Sequence, residues 1–320
     1  MDISPSVYEH AARLVQRSPW DVSRDGELLY QAHAAAYRYY RQTPIMPGID
    51  IYNLEPEAYG ATVARPDGED IPAISGHAFD TTRVLLELPP LNPRRDGRIP
   101  MQIEAARRLR DTFPEADIRV PVSGPFAIAS NLVGFDTLLF EAITEPQQVA
   151  DALLHLVDGQ VAFAEAVKEA GVDVTFFESS ACPPLLSPDL FRRVELPALK
   201  ECMRRIAKVV QHPVPCIIGG NTEPILDMMV ETGSKYLVCP FETNQPKFLA
   251  RIWDRTDIRL RVNGDLRVIA GGTWEQIKAD ADRLMTLVYG RPNVCLGTGA
   301  LPYETPPENV LRLMEYVAGL

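Results

Sequence analysis

The chain has 320 residues, of which 46% are hydrophobic and 23% charged, and its net charge is −11 at pH 7. This suits one large α/β barrel or two average domains, and it argues against a nucleic-acid partner, because binding phosphates requires clustered Lys and Arg. We find no signal peptide, no apolar run of about 18 residues that would span a membrane, and five scattered cysteines, which together favour a cytoplasmic protein.

The first 80 residues predict helices followed by a long loop. Within residues 6–42, Leu28, Leu29, Ala32 and Ala36 recur at helical spacing. Residues 43–80 are rich in Pro, Gly and acidic groups, and a loop of that length is usually functional or disordered. Its aromatic residues favour a packed functional loop, so we interpret residues 1–80 as N-terminal helices plus an active-site excursion.

From residue 84 onward, short apolar runs alternate with amphipathic helical segments. This alternation predicts a parallel sheet with helical crossovers. With about seven strands and room for an eighth, we expect a (β/α)8 TIM-type barrel over residues 81–320, in a single domain of residues 1–320 that carries an N-terminal helical extension. The predicted strands are 84–88, 118–123, 172–178, 214–219, 236–239, 258–263 and 294–297, and the longer predicted helices are 146–170, 188–210, 224–232 and 273–289.

Polar residues follow several of these strands, where a parallel barrel places its chemistry. They are Glu178, Asn221, Cys239, Asn263, Asp265 and Thr298. Asn221 and Asp265 could instead cap helices. Glu178 directly follows an apolar run, so burial would raise its pKa or a cation would lower it. Ser179 and Ser180 come next, but the sequence offers no base that would make either one a nucleophile.

Several segments together carry a family resemblance. They are Glu55-Pro56-Glu57-Ala58-Tyr59-Gly60, Gly124-Pro125-Phe126, Leu186-Ser187-Pro188, Gly220-Asn221, Asn263-Gly264-Asp265 and the closing stretch from Gly297 to Asn309. In their order and spacing they resemble the uroporphyrinogen decarboxylase superfamily, a barrel family that includes corrinoid-dependent methyltransferases. The resemblance covers residues 50–310 and implies an active site at the carboxyl ends of the strands.

The decarboxylase branch is the weaker match. Its N-terminal Arg-Gln-x-Gly-Arg-Tyr motif is absent, because Arg41-Gln42 continues as Thr43-Pro44. We also expect Asp50, Glu55 and Glu57 to form an acidic entrance that would repel a polycarboxylate.

The methyltransferase branch is the better match, with one systematic departure. Its thiol-methylating members are expected to bind zinc through a His-x-Cys pair and a late Cys. The corresponding positions here are Ile217, Gly219 and Gly299. The resemblance therefore does not support a zinc-thiolate mechanism of that type.

A substitute metal site is one hypothesis for the acidic excursion. Glu57 and His77 would be ligands, near Asp50 and Glu55, and one His with carboxylates suits zinc with an open position for an ether or phenolate oxygen. Cys239 is a weaker further candidate. The alternative is that the carboxylates face solvent and His77 is a loop residue with a backbone partner.

The resemblance implies a methyltransferase that moves a methyl group between a small methoxylated or methylated compound and a partner protein carrying a corrinoid. We expect Glu178 and Asp265 to be catalytic, and we expect substrate contacts from Asn53, Glu55, Phe126, Asn221, Asn263 and Thr298. One alternative is a cofactor-free decarboxylase. Another is a non-catalytic barrel that binds a corrinoid or tetrapyrrole. We expect no nucleic-acid or membrane partner.

Overall fold

A curled sheet of seven parallel strands forms the centre of the protein. The computed structural model describes residues 1–178 and 181–319, so Ser179, Ser180 and Leu320 lie outside the described residues. The strands are β1 Ile3–Ser6, β2 Thr62–Ala64, β3 Ala73–Gly76, β4 Arg119–Ser123, β5 Asp173–Glu178, β6 Cys216–Ile218, β7 Tyr236–Cys239, β8 Arg259–Asn263 and β9 Val294–Ala300. The sheet order is β1-β9-β8-β7-β6-β5-β4, while β2 and β3 pair as a separate antiparallel hairpin.

The eighth position of the barrel is filled by Ile45. Its amide donates to Asp117 O at 2.8 Å and its carbonyl accepts from Arg119 N at 2.9 Å, which makes a parallel bridge beside β4. On the other side, Ser4 Oγ of β1 donates to Thr43 O at 3.1 Å. The sheet therefore closes on itself, and the predicted TIM-type (β/α)8 barrel is confirmed.

Six of the predicted strands are confirmed, each within a few residues of its predicted bounds. The strand predicted at 84–88 is wrong, because Thr82–Glu87 is a 3₁₀ helix. Glu141 holds the start of this turn by accepting a hydrogen bond from Thr82 N at 2.9 Å. Only Leu85 of the apolar run is fully buried, so the run is a short helix with one buried anchor and not a strand.

Strand β1 was missed, since residues 1–80 were expected to be helices and loop. Its sequence Ile3-Ser4-Pro5-Ser6 lacks the apolar run that marks the other strands, yet β1 pairs in parallel with β9. The barrel therefore begins at residue 3, inside the segment that the sequence assigned to an extension.

Helices surround the sheet, and the longer ones bury one face against the interior. The helices are α1 His10–Leu14, α2 Pro19–Arg24, α3 Gly26–Tyr40, α4 Leu54–Ala58, α5 Ile99–Thr112, α6 Pro125–Val133, α7 Phe135–Thr144, α8 Pro146–Glu169, α9 Pro188–Leu190, α10 Leu196–Val210, α11 Leu226–Glu231, α12 Gln245–Ile252, α13 Leu266–Gly271, α14 Trp274–Leu287 and α15 Pro307–Ala318. Across residues 1–178 and 181–319, no single helix is long and apolar enough to cross a membrane, and the consecutive pair α6 and α7 that passes by length and composition is bent by 112°.

The helix predicted over residues 188–210 is present but contains a π-helical turn. Ser187 caps its start by accepting from Leu190 N, α9 leads into the π turn Phe191–Glu195, and α10 continues to Val210. A π turn inserts one extra residue into a helix, and such turns are frequent at functional sites. Here the turn places Glu195 in the buried layer between the helix and the sheet.

The acidic excursion is held to the helices by Arg98. Its guanidinium binds both oxygens of Asp50, at 2.8 and 2.7 Å, and its Nε donates to Glu57 Oε2 at 2.6 Å. Arg24 pairs with the other oxygen of Glu57. The expected acidic entrance is wrong in this respect, because these two carboxylates are neutralised by arginines of the same chain.

Candidate active site

A cavity of about 700 Å³ opens at the carboxyl ends of the strands. In a parallel barrel this is the end where the loops after the strands can bring different side chains to one point. Residues of six strands line it: Ser6 of β1, Phe177 of β5, Ile217 and Ile218 of β6, Val238 of β7, Arg261 and Asn263 of β8, and Thr298, Gly299 and Ala300 of β9. The excursion, including its hairpin, and α6 form another part of the wall, through residues that include Asn53, Ile74 and Asn131.

Four of the predicted site residues line this cavity: Asn53, His77, Asn263 and Thr298. Asn53 Nδ2 donates to Pro72 O at 2.8 Å and to Asp50 Oδ2 at 3.1 Å, which ties the hairpin loop to the residues that precede α4. Thr298 Oγ1 accepts from Ser6 N at 3.1 Å and joins the ends of β1 and β9. Both residues therefore have structural contacts in addition to their position at the cavity.

Arg261 is the buried cation of the site. Its Nε donates to Asn263 Oδ1 at 3.0 Å and its Nη2 to Ser6 Oγ at 2.5 Å, and the residue is only 3% exposed. The guanidinium lies across β9 at Gly297, where an added Cβ would overlap Nε and Cζ. A glycine at that position is what allows a charged group to lie inside the barrel.

Glu9 lies at the cavity wall, in the loop between β1 and α1. Burial, followed by the nearby charge of Glu304, raises the pKa of Glu9 from 4.5 to about 7. A carboxyl with that pKa is partly protonated at neutral pH and can donate or accept a proton. Glu9 is therefore the best-placed acid or base among the described cavity residues.

Glu178 does not line the cavity, although it was expected to be catalytic there. Successive side chains of β5 face opposite sides, so Phe177 faces the cavity and Glu178 faces the helices. Its Oε1 accepts from Ala127 N at 2.7 Å at the start of α6, and Gly124 leaves the space that its carboxyl occupies. The Gly124-Pro125-Phe126 segment thus accommodates a buried carboxyl behind the barrel wall.

Glu178 forms a buried pair with Glu195 of the π turn. Burial raises the pKa of both carboxyls, and the charge of Glu178 raises that of Glu195 further. Within the described residues the oxygens of Glu195 have no donor, so a proton shared by the two carboxyls is the arrangement that avoids two unpaired buried charges.

Glu55, Phe126, Asn221 and Asp265 also lie outside the cavity wall. Phe126 is fully buried, and Asn221 Oδ1 accepts from Thr243 Oγ1 at 3.2 Å. Asp265 caps α13 by accepting from Arg267 N at 3.0 Å, and its hydrogen bonds with Arg267 lower its pKa. Asp265 therefore has the helix-capping role that was considered as the alternative.

Glu55 anchors α4 to the end of β4. It is fully buried and accepts from Ser123 N at 2.7 Å and from Ser123 Oγ at 2.9 Å. Burial raises its pKa from 4.5 to about 7. The carboxyl is thus a structural acceptor that joins the excursion to the barrel.

The residues proposed as metal ligands are not brought together. Glu57 is held by Arg24 and Arg98, and His77 Nδ1 is 3.0 Å from Asn131 O, which is the backbone contact of the alternative interpretation. Cys239 is buried, which raises its pKa, and it does not line the cavity. In the described part of the chain, no group of three or more His, Cys, Asp and Glu side chains is arranged to hold a metal ion.

The three positions at which the resemblance implied zinc ligands do converge. Ile217, Gly219 and Gly299 all line the cavity. A Cβ added at Gly219 would meet no atom within 4 Å, so that position faces open space. The positions that the resemblance associates with zinc thus line the same cavity, and in this chain they hold two glycines and an apolar side chain.

Sequence reasoning missed Arg261, Glu9, Ser6 and Tyr8, all of which line the cavity. The signal for Arg261 was available, because it lies two residues before Asn263 on β8, and alternate residues of a strand share a face. Ser6, Tyr8 and Glu9 could not be found in that way, because strand β1 was not recognised. Ser6 is the last residue of β1, and Tyr8 and Glu9 follow it.

A family model described as uroporphyrinogen decarboxylase matches residues 5–320 of the chain. The chain belongs to this family. It is also 27% identical, over 221 residues, to a methylcobamide:CoM methyltransferase, MtaA, of Methanosarcina barkeri, and the match covers 68% of this chain. This member of the uroporphyrinogen decarboxylase family thus spans 63% of the length of that relative.

Solved structures agree on the fold. A methyltransferase from Methanosarcina mazei superposes with a TM-score of 0.83 at 23% identity, covering 99% of this chain and 92% of that one. A B12-independent methionine synthase from Shewanella sp. W3-18-1 gives a TM-score of 0.55 at 12% identity, covering 92% and 89%. At these identities the likeness concerns the barrel architecture alone.

Proposed function

We infer that the protein is a corrinoid-dependent methyltransferase that moves a methyl group between a small methoxylated or methylated compound and a corrinoid on a partner protein. The family match and the similarity to a methylcobamide:CoM methyltransferase support methyl transfer. The choice of substrate rests first on one observation, which is that Ile217, Gly219 and Gly299 all line the cavity. Their side chains cannot hold zinc for a thiol, whereas Glu9 at the cavity wall can protonate an oxygen that loses its methyl group, so we favour an oxygen-bound methyl group.

The cavity mouth suits contact with a corrin ring. Ile71 and Phe135 line it and remain 43% and 36% exposed, so they offer an apolar surface at the opening. When bound, a corrinoid supplies the cobalt that takes up or delivers the methyl group. Zinc does not fit the described residues, since no three suitable ligands lie together.

Glu9 would supply the proton for the oxygen that loses the methyl group. The oxygen keeps the bonding electron pair, and protonation by a carboxylic acid prevents an unfavourable free alkoxide or phenolate. The raised pKa of Glu9 keeps part of the protein in the acid form near neutral pH. Apolar walls such as Phe177 and Ile217 limit water beside the reacting atoms.

The test is methyl transfer from methoxylated aromatic compounds to free cob(I)alamin, followed through the absorbance of methylcobalamin. We expect transfer by the purified protein and a loss of about 100-fold in kcat for Glu9→Gln. Glu165→Gln on α8, which lies away from the cavity, is the matched control. Absence of transfer from every donor, together with carbon dioxide release from uroporphyrinogen, would replace this proposal with the decarboxylase alternative.

A further inference from the structure

We propose that Arg261 binds a carboxylate of the substrate, so that the methyl-bearing compound is a small monocarboxylic acid with an apolar body. The identification of the ligand as the methyl-bearing compound rests on the proposed function. The anion site itself rests on the surroundings of the guanidinium.

Arg261 lacks the counter-ion that a buried arginine needs. Across residues 1–178 and 181–319, no carboxylate oxygen lies within 4.0 Å of its guanidinium nitrogens. Its two hydrogen-bond partners, Asn263 Oδ1 and Ser6 Oγ, are neutral oxygens. A guanidinium has five N–H donors, so the described contacts leave donors available for a ligand.

Two other arginines with little exposure show how this chain normally satisfies such a group. Arg98 is paired with Asp50 and Glu57. Arg291 has no carboxylate partner among the described residues, but it donates to several backbone carbonyls, including Arg255 O at 3.0 Å and Pro292 O at 2.8 Å. Neither lines the cavity. Arg261 alone among these three faces the cavity and lacks both kinds of partner.

The protein holds this guanidinium in a fixed orientation. Asn263 and Ser6 bind its Nε and Nη2, and Gly297 leaves room for it across β9. A planar guanidinium held in this way presents parallel donors that match the two oxygens of a carboxylate. The arrangement therefore selects a planar anion over a spherical one.

Tyr8 adds a neutral hydroxyl to the same cavity. In the described part of the chain this hydroxyl makes one weak contact, a hydrogen bond donated to Met46 Sδ at 3.4 Å, which a stronger acceptor on a ligand can replace. Burial raises the pKa of Tyr8 well above its usual range, against the lowering effect of Arg261, so the hydroxyl stays protonated. Apolar residues such as Phe177, Val238 and Leu266 form the walls, which suit the hydrocarbon part of the ligand.

Calorimetric titration of the full chain with para-methoxybenzoate and with para-methoxybenzamide tests the proposal. The two probes differ in charge but have nearly the same shape. We expect the acid to bind about 10- to 100-fold more tightly than the amide, the range typical of a charge-assisted bidentate hydrogen bond. Equal affinities for the two probes would overturn the proposal.

Variants of Arg261 and Arg259 test whether the preference for the acid depends on Arg261. Arg261→Gln should abolish the preference for the acid, whereas Arg259→Gln, on the same strand but paired with Asp2 outside the cavity, should retain it. If Arg261→Gln does not fold, Arg261→Lys keeps the charge without the planar donors and should reduce the preference to an intermediate value. A preference that survives in folded Arg261→Gln or is undiminished in Arg261→Lys would exclude the proposed contact.

The binding and transfer experiments separate the two proposals. Tight binding of the acid through Arg261 without methyl transfer would uphold the anion site and refute the proposed function. Methyl transfer from the neutral amide as efficiently as from the acid, with equal affinities, would uphold the function and refute the anion site.

Discussion

Replacing Glu55 with glutamine should flatten the dependence of stability on pH. Glu55 is fully buried, and burial raises its pKa from 4.5 to about 7. The glutamine keeps the local geometry, because its carbonyl can accept from Ser123 N while its amide donates to Ser123 Oγ. That hydroxyl can still donate to Ile51 O, from which it is 3.2 Å away.

The pKa values of Glu55 in the folded and unfolded states give the direction and the size of this change in stability with pH. The folded-state pKa lies above the unfolded one, so the contribution of Glu55 to stability is fully present below about pH 4.5 and is lost as the pH rises through 7. Each pKa unit corresponds to about 1.4 kcal/mol, which gives a loss of about 2.5 kcal/mol in the free energy of unfolding between about pH 5 and pH 8. Glu55→Gln lacks this loss.

Urea denaturation at a series of pH values measures the difference between wild type and variant. The exposed Glu104→Gln is the control, because hydrogen bonds with Arg107 lower the pKa of Glu104 and the carboxylate is ionised in both states across this range. Its profile should be parallel to that of the wild type. If the Glu55→Gln profile were also parallel, Glu55 would be ionised inside the folded protein and the reasoning from burial would be refuted.

Three further predictions concern the other charged groups. Arg98→Met leaves Asp50 without its counter-ion, and we expect a loss of about 3 kcal/mol or more in the free energy of unfolding measured with urea. Glu304→Gln removes a charge that raises the pKa of Glu9, so the alkaline limb of the pH–rate profile for methyl transfer should move to lower pH. Gly297→Ala displaces the guanidinium in the cavity and should weaken binding of para-methoxybenzoate, as measured by calorimetry.

Each of the three predictions has a control variant or a result that would contradict it. Arg94→Met removes an exposed ion pair with Glu169 and should change stability by less than about 1 kcal/mol. An alkaline limb that does not move in Glu304→Gln would contradict the role of Glu9. Gly219→Ala adds its methyl group to open space in the same cavity, so a loss of carboxylate binding equal to that in Gly297→Ala would point to general disturbance.

The barrel was predictable wherever a strand is buried on both faces. The run before Glu178 is largely apolar and was recognised, because parallel strands covered by helices have that signature. Strand β1 has two serines and a proline in four residues, and Ser6 contacts the cavity arginine, so its composition reflects the site and not the core. The single bridge at Ile45 is too short to leave any periodic signal.

The site was predictable in location more than in residue roles. Asn263 and Thr298 line the cavity as expected, because strand ends converge at one end of a barrel. Glu178 was expected at the cavity from its position along the strand alone, but the alternation of sides places Phe177 there instead. The partners of Glu57 could not be inferred, since Arg24 and Arg98 reach it from two separate helical regions.

The pairing of β1 with β9 also bears on how the chain is made. The contact between Ser6 and Thr298 joins residues 292 positions apart, so a ribosome must synthesise nearly all of this chain before β1 can pair with β9. Until β9 is made, Ser6 is not held in the sheet in which it contacts Arg261 of β8. The cavity is thus completed last, and a nascent chain that has already formed β4 to β8 still lacks one of its walls.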